Sequence, residues 1–191
     1  MITMMKLKKS DKLSIVHEDI FELDVDAIVI PTNTDLLLGA GIAGELRRKA
    51  GIGIQEECLE IGSVALGQSV VTTAGRLKVP YIIHAAVMKI GGVTVETGLV
   101  KAIESAGIRI KEKKMKRVAF PPMGIGIGRF PLRSCAEVMI RTILTSVVGR
   151  RCLKKVYIVL PDEDMCTLFE EMYDFLTEAE DNVIVENGRI D

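Results

Sequence analysis

The chain has 191 residues, 48% of them hydrophobic, with 25 Lys plus Arg against 26 Asp plus Glu and a formal charge of -1. That length suits one domain with a sizeable core, covering 1–191 with its core at about 12–186; the aliphatic composition excludes a disordered chain, and the balanced charge argues against a dedicated nucleic-acid groove. Four cysteines, Cys58, Cys135, Cys152 and Cys166, show no CxxC pairing and no histidine at ligand spacing, so they support neither a zinc site nor a disulfide framework and read as buried thiols. No apolar run approaches the ~20 residues needed to cross a bilayer, and the first twelve residues lack an apolar signal core. The expected location is cytoplasmic, with no membrane partner.

Leu13 to His17 alternates apolar and polar residues and predicts a strand that ends at Glu18-Asp19-Ile20. Ala27 to Ile30 is continuously apolar, as expected of a central strand buried on both faces. A polar break, Pro31-Thr32-Asn33-Thr34, leads to Gly39, Gly41 and Gly44. From there Ile42, Leu46 and Ala50 recur at helical spacing, and Gly51 closes the helix. A second helix fills Ile54 to Ile61 and ends at Gly62. Gln68 to Thr73 and Val79 to His84 are strand-like in composition and are joined as a hairpin through residues 74–78. Thr94 predicts the N-cap of a long helix through Lys113, and Lys111, Lys113, Lys114, Lys116 and Arg117 read as its solvated end. Arg117 to Phe120 is a short strand. After it come Pro121-Pro122-Met123, the run Gly124-Ile125-Gly126-Ile127-Gly128, and a helix opened by Pro131 with Leu132, Ala136, Met139, Ile140 and Ile143 on one stripe. Lys155 to Leu160 is a further strand, Pro161 to Asp164 its exit loop, Met165 to Thr177 a helix, and Asn182 to Val185 a last strand. Strands alternating with helices imply a three-layer α/β/α sandwich around a twisted, mostly parallel sheet, which the hairpin makes mixed.

In an open α/β sheet, ligands bind outside the carboxyl ends of the strands. Both glycine segments, 39–44 and 124–128, follow strands and precede helices, so both project from that edge. Bare amides and the positive end of a helix dipole suit an anion, and two such loops suit a diphosphate. Flexible turns are the competing reading of either loop alone. Residues 39–44 satisfy G-x-G-x-x-G literally, but Pro31 to Leu38 separate them from the strand, and the acids at ribose-binding distance, Glu57 and Glu60, fall in a helix. This disfavours a Rossmann dehydrogenase. The lack of a Lys-Ser/Thr pair disfavours a P-loop hydrolase.

Asp19-Ile20, then Val25-Asp26-Ala27-Ile28-Val29 running into Asn33, Gly39-x-Gly41-Ile42-Ala43, Tyr81-Ile82-Ile83-His84, and Ala119-Phe120-Pro121 with its glycine loop and Phe130-Pro131 together resemble the ordered signature of the macro domain. The resemblance runs from about Leu13 to Tyr173. It implies a mixed sheet between helices and a cleft for ADP-ribose or a related adenine nucleotide, free or linked to protein or nucleic acid, with no cofactor. Carried over residue by residue, Asp19 and the Ile20 amide meet adenine, and Asn33 meets the distal ribose. Gly39, Gly41 and Ile42 approach that ribose and the phosphate, and the amides of Gly124, Ile125, Gly126, Ile127 and Gly128 wrap the diphosphate. Asp19 reads alternatively as a turn acid, and Asn33 as a residue fixing its own turn.

The sequence also departs from the family pattern. Ala43 stands where many hydrolytic members carry an aspartate, Gly128 stands where a ring faces the distal ribose, and Leu160-Pro161 offers only apolar contact where some members stack an aromatic. Phe130 is the expected partial replacement for that ring. His84 reads as a core imidazole bonded to backbone, His17 as an edge residue, and Arg129 as a candidate phosphate contact. The expected function is ADP-ribose recognition. The alternatives are hydrolysis of ADP-ribosyl bonds or of ADP-ribose 1''-phosphate, with Asn33 orienting the ribose, and a protein-interaction domain with a degenerate cleft.

Overall fold

The computed structural model describes residues 7–177, so the strand expected at Asn182 to Val185 lies outside the described residues. Six strands form one sheet in the order β1-β6-β5-β2-β4-β3, with β1 Leu13–His17, β2 Ala27–Asn33, β3 Ser69–Thr73, β4 Tyr81–Met88, β5 Arg117–Phe120 and β6 Lys155–Leu160. Every pairing is parallel except β3 with β4, so the expected hairpin makes the sheet mixed. The helices are α1 Gly41–Ala50, α2 Gly53–Ile61, α3 Glu96–Glu112, α4 Leu132–Thr142 and α5 Glu163–Thr177, with a π-helical turn, Ile143–Val147, continuing α4. Among the described residues no helix is long and apolar enough to cross a membrane.

The unbroken apolar run of β2 follows from its place between two layers. Ala27 and Val29 face a core shared with α3, α4 and α5, while Ile28 and Ile30 face a second core under α1 and α2. Burying each such isoleucine contributes about 1.5–3 kcal/mol. Both faces are therefore sealed, and only the strand ends remain open to a ligand.

Several boundaries differ from expectation, four of them with a clear physical cause. Strand β4 continues to Met88, because Ala85, Ala86 and Val87 extend the apolar face past His84. Helix α3 begins at Glu96 after Val95, with no side-chain cap, so Thr94 is not its N-cap. Helix α5 begins at Glu163, since Asp162 Oδ1 accepts the Met165 amide at 2.8 Å and caps the first turn there. Strand β2 runs on through Pro31 to Asn33, where its register against β4 shifts between Thr32 and Asn33. Such irregularities re-aim a strand end. Of the four thiols, only Cys58 and Cys135 are buried; Cys152 and Cys166 are half-buried.

Candidate functional site

The exits of β1, β2, β4, β5 and β6, together with the start of α1, surround a cleft of about 840 Å³. On one side Asn33 leaves β2 and organises the loop that follows. Its Oδ1 accepts the amides of Asp35 at 3.0 Å and Leu37 at 3.2 Å, and its Nδ2 donates to the Leu37 carbonyl at 3.0 Å. Gln55 of α2 pins the same loop from beneath, accepting the Leu38 amide at 2.8 Å and donating to the Leu36 carbonyl at 3.2 Å. The loop then delivers Gly41, at φ 57°, as the first residue of α1. Ala40 offers no side-chain cap and the first turn holds no acid, so its amides and dipole face the cleft without a partner among the described residues.

Across the cleft lies the second glycine segment. The carbonyls of Gly124, Gly126 and Gly128 accept from Phe130 N (2.9 Å), Arg129 N (3.0 Å) and Thr94 N (2.8 Å). The amides of residues 124–128 donate to nothing among the described residues. With its carbonyls tied back and its amides unused, the loop is a concavity of donors. Thr94 explains the glycines. A Cβ at Gly124 would come within 2.7 Å of Thr94 Cγ2, and one at Gly128 would collide with Thr94 Oγ1 and lie 2.6 Å from the Gly124 carbonyl oxygen. The ring expected at position 128 is absent because Thr94 takes its space. Gly126, by contrast, has no atom within 4 Å of a built Cβ.

At the β1 exit, Asp19 Oδ1 accepts the Phe21 amide at 2.9 Å and its Oδ2 meets Lys49 Nζ at 3.2 Å. The backbone bond, helped by Lys49 against a smaller opposing effect of burial, holds the carboxyl below the usual aspartate range. Lys49 also sits 5.2 Å above the Phe21 ring, and Phe21 lines the cleft beside Val159, Leu160 and Pro161. Among the described residues, the charged or titratable side chains on the lining are His17, Glu18, Asp19 and Glu45, with no lysine or arginine. Glu45 is half-buried and has no partner among the described residues.

The structure thus brings Asp19, Ile20, Asn33, Gly39, Gly41, Ile42, Gly124, Ile125, Gly126, Ile127 and Gly128 to one cavity. It does not bring Phe130 there, because the ring packs against the core beneath α4. Arg129 is exposed and stands outside the lining. Both alternative readings hold in part: Asp19 closes its own turn and Asn33 fixes its own loop, while both remain on the cleft wall. His84 lies mid-strand and fully buried, away from the cleft, and its partners are side chains, Thr72 and the more distant Cys58 Sγ at 3.7–3.9 Å, not backbone. Thr72 Oγ1 donates to the Thr73 carbonyl, so it accepts the proton of His84 Nε2 at 2.8 Å, and burial pushes the imidazole pKa down to about 4. Sequence reasoning missed Phe21, Thr32 and Ile90 on the lining and Gln55 behind it, and set Glu45 aside because its direction from the helix was open. The one available signal was that residues flanking strand exits share an edge.

An α/β/α sandwich whose strand ends carry two opposed sets of free amides defines a class of anion-binding domains. A sequence model of the family described as Macro domain matches residues 29–139. An uncharacterized protein of Aquifex aeolicus is 34% identical over 161 residues, covering 84% of this chain and 96% of its own. A macro domain-containing protein of Cupriavidus necator is 32% identical over 167 residues, covering 84% and 96%. Among solved structures, a mutant Oceanobacillus iheyensis macrodomain with ADPR superposes with a TM-score of 0.77 at 25% identity, covering 90% of this chain and 97% of that one. A Trypanosoma brucei macrodomain in complex with ADP-ribose gives a TM-score of 0.76 at 20% identity, covering 84% and 68%, and shares the fold. The chain belongs to the macro domain family.

Proposed function

We propose that this macro domain binds ADP-ribose, with the diphosphate held between the uncapped start of α1 and the amides of residues 124–128. The observation that carries this reading is the pair of donor sets facing each other across one open cleft with no lysine or arginine on its wall. Neutral amides, fixed in place, hold phosphate oxygens without a counter-cation. Asp19, the Ile20 amide and the Phe21 ring provide the adenine end, and Asn33 with Gly39, Gly41 and Ile42 the distal ribose. Support comes from the solved macrodomain with ADPR at 25% identity. The open cleft speaks against a degenerate one, since no side chain fills it. Calorimetric titration of the full chain with ADP-ribose tests the reading. Saturable one-to-one binding, weakened by Asp19→Ala and by Gly126→Val, is the expected result; no heat and no thermal shift with ADP-ribose would overturn it.

One observation favours hydrolysis of ADP-ribosyl bonds as a second reading. Glu45 is an unpartnered, half-buried carboxylate on the cleft wall, whereas Ala43 has no group to act. Release of ADP-ribose from a modified protein, abolished in Glu45→Gln while binding persists, is the outcome that reading requires.

A further inference from the structure

The lysine run at 113–117 stands apart from the cleft, and the fold gives it company that the sequence does not suggest. The cleft occupies the carboxyl ends of the parallel strands; the opposite ends of β1, β6 and β5 begin side by side. There Val156 N donates to the Lys12 carbonyl at 2.7 Å, and the amides of Lys154 and Lys155 donate to the Lys116 carbonyl at 2.7 and 3.0 Å. Arg150 and Arg151 enter through the tight turn closed by Leu153 N on the Arg150 carbonyl. Two cationic runs, one before β5 and one before β6, thus form a single surface.

The charges on that surface are largely unneutralised. Lys114, Lys116, Arg151 and Lys154 are exposed and make no side-chain bond or ion pair among the described residues. Lys12, Lys155 and Arg150 point their heads at carbonyl oxygens of Val148, Asp11 and Ser146, at 3.2, 2.9 and 3.1 Å, which leaves their charge intact. The acids nearby are few. Asp24 is paired with Arg117 at 2.7 and 3.1 Å and Glu112 with Arg109 at 2.6 Å, while Asp26, which accepts only the amides of Lys116 and Arg117, and Asp11 keep their charge. The chain as a whole carries -1, so this end is offset by acids elsewhere, among them Glu18, Asp19 and Glu45 on the cleft wall. A polyanion is steered to the basic end and away from the cleft.

We infer that the basic end formed by Lys114, Lys116, Arg151 and Lys154 at the starts of β5 and β6 binds the phosphate backbone of nucleic acid without reading its sequence. Neighbouring strands are about 4.8 Å apart, so these cations at the starts of β5 and β6, extended by Lys12 at the start of the adjacent β1, span about 10 Å, enough to meet successive phosphates. No aromatic side chain stands exposed in residues 113–117 or 150–155 to stack on a base, and no helix or ribbon protrudes there to enter a groove. No exposed large hydrophobic residue lies in those runs either, so the end lacks the apolar anchor of a membrane surface site.

Fluorescence anisotropy of a labelled short DNA duplex against the full chain, from ~50 to ~200 mM salt, is the test. The expected logarithmic salt slope is about -3 or steeper, corresponding to three or more neutralised phosphates. Lys114→Glu, Arg151→Glu and Lys154→Glu should each weaken binding severalfold and flatten the slope by about 1. Arg133→Glu, an equal charge change at an exposed position of α4, should leave affinity within twofold. Because the two ends are separate, saturating ADP-ribose should not displace the duplex. The inference is overturned by a lack of anisotropy change at the lowest salt with folded protein, by equal losses in Arg133→Glu and Lys154→Glu, by displacement with ADP-ribose, or by retention on phosphatidylserine vesicles without duplex binding.

Discussion

Gly126 and Gly128 sit two residues apart in one loop, yet the structure assigns them opposite reasons for lacking a side chain, and substitution separates the two. Gly128→Ala places a Cβ against Thr94 Oγ1 and 2.6 Å from the Gly124 carbonyl oxygen; the Thr94 N to Gly128 O bond of 2.8 Å holds the first neighbour and the Phe130 N to Gly124 O bond of 2.9 Å the second. Neither neighbour is the free end of a flexible side chain, so the loop must shift. Overpacking of this kind costs about 1–3 kcal/mol. For a domain of this size ~1 kcal/mol moves Tm by about 2–4 °C, so Gly128→Ala should melt roughly 5 °C early. The Cβ of Gly126→Val meets nothing within 4 Å, and Gly126 is outside the left-handed region, so its Tm without ligand should stay within about 2 °C of the parent. Its side chain instead occupies space in the cleft. At a ligand concentration one hundred times Kd, binding stabilises by about 2.7 kcal/mol, an upward shift of roughly 8 °C in the parent. Gly126→Val should lose most of that shift. Differential scanning fluorimetry with and without ADP-ribose reads both quantities in one plate. Two results would refute the reasoning: a Gly126→Val protein as unstable as Gly128→Ala, or one that keeps the full ligand shift.

Asn33→Ala removes three hydrogen bonds that hold residues 35–37, so it should lower stability by about 2 kcal/mol in urea denaturation as well as weaken ADP-ribose binding; unchanged stability would mean the loop holds itself. Thr94 Oγ1 is buried with no partner among the described residues, so Thr94→Val should preserve or raise Tm, and a loss above about 1 kcal/mol would show that the hydroxyl is satisfied in solution. His84 sets a pH dependence. Its folded pKa, about 4, lies below the unfolded 6.5, so the unfolded chain binds the extra proton; the stability it confers is complete above pH 6.5 and declines as pH falls toward 4. Between pH 6.5 and 5 the loss should be about 2 kcal/mol, absent in His84→Gln, as read from urea midpoints. Asp19, whose folded pKa is depressed, acts in a lower window, since its contribution is lost only as pH falls below 3.8.

Local pattern carried most of the architecture. The apolar run of β2 meant burial on both faces, and the glycines of 39–44 and 124–128 marked strand-to-helix crossings, because each signal is written in a few adjacent residues. What escaped was set by distance. His84 looked like a strand end because a polar residue interrupts an apolar run, but Thr72 on the paired strand satisfies it and lets β4 run on to Met88. Thr94 looked like a cap because a helix follows it, but the glycine loop thirty residues later takes its side chain. Phe21 and Glu45 reach the cleft through helix and loop directions that spacing alone leaves open. The basic end of the sheet is the same problem on a larger scale. A formal charge of -1 is a sum, and it suggested no affinity for polyanions. Parallel topology sorts that sum in space, gathering Lys114, Lys116, Arg151 and Lys154 where strands start and leaving Glu18, Asp19 and Glu45 where they finish. The cleft therefore suits anions that backbone amides can hold, and the site we propose for a longer polyanion lies at the other end of the sheet.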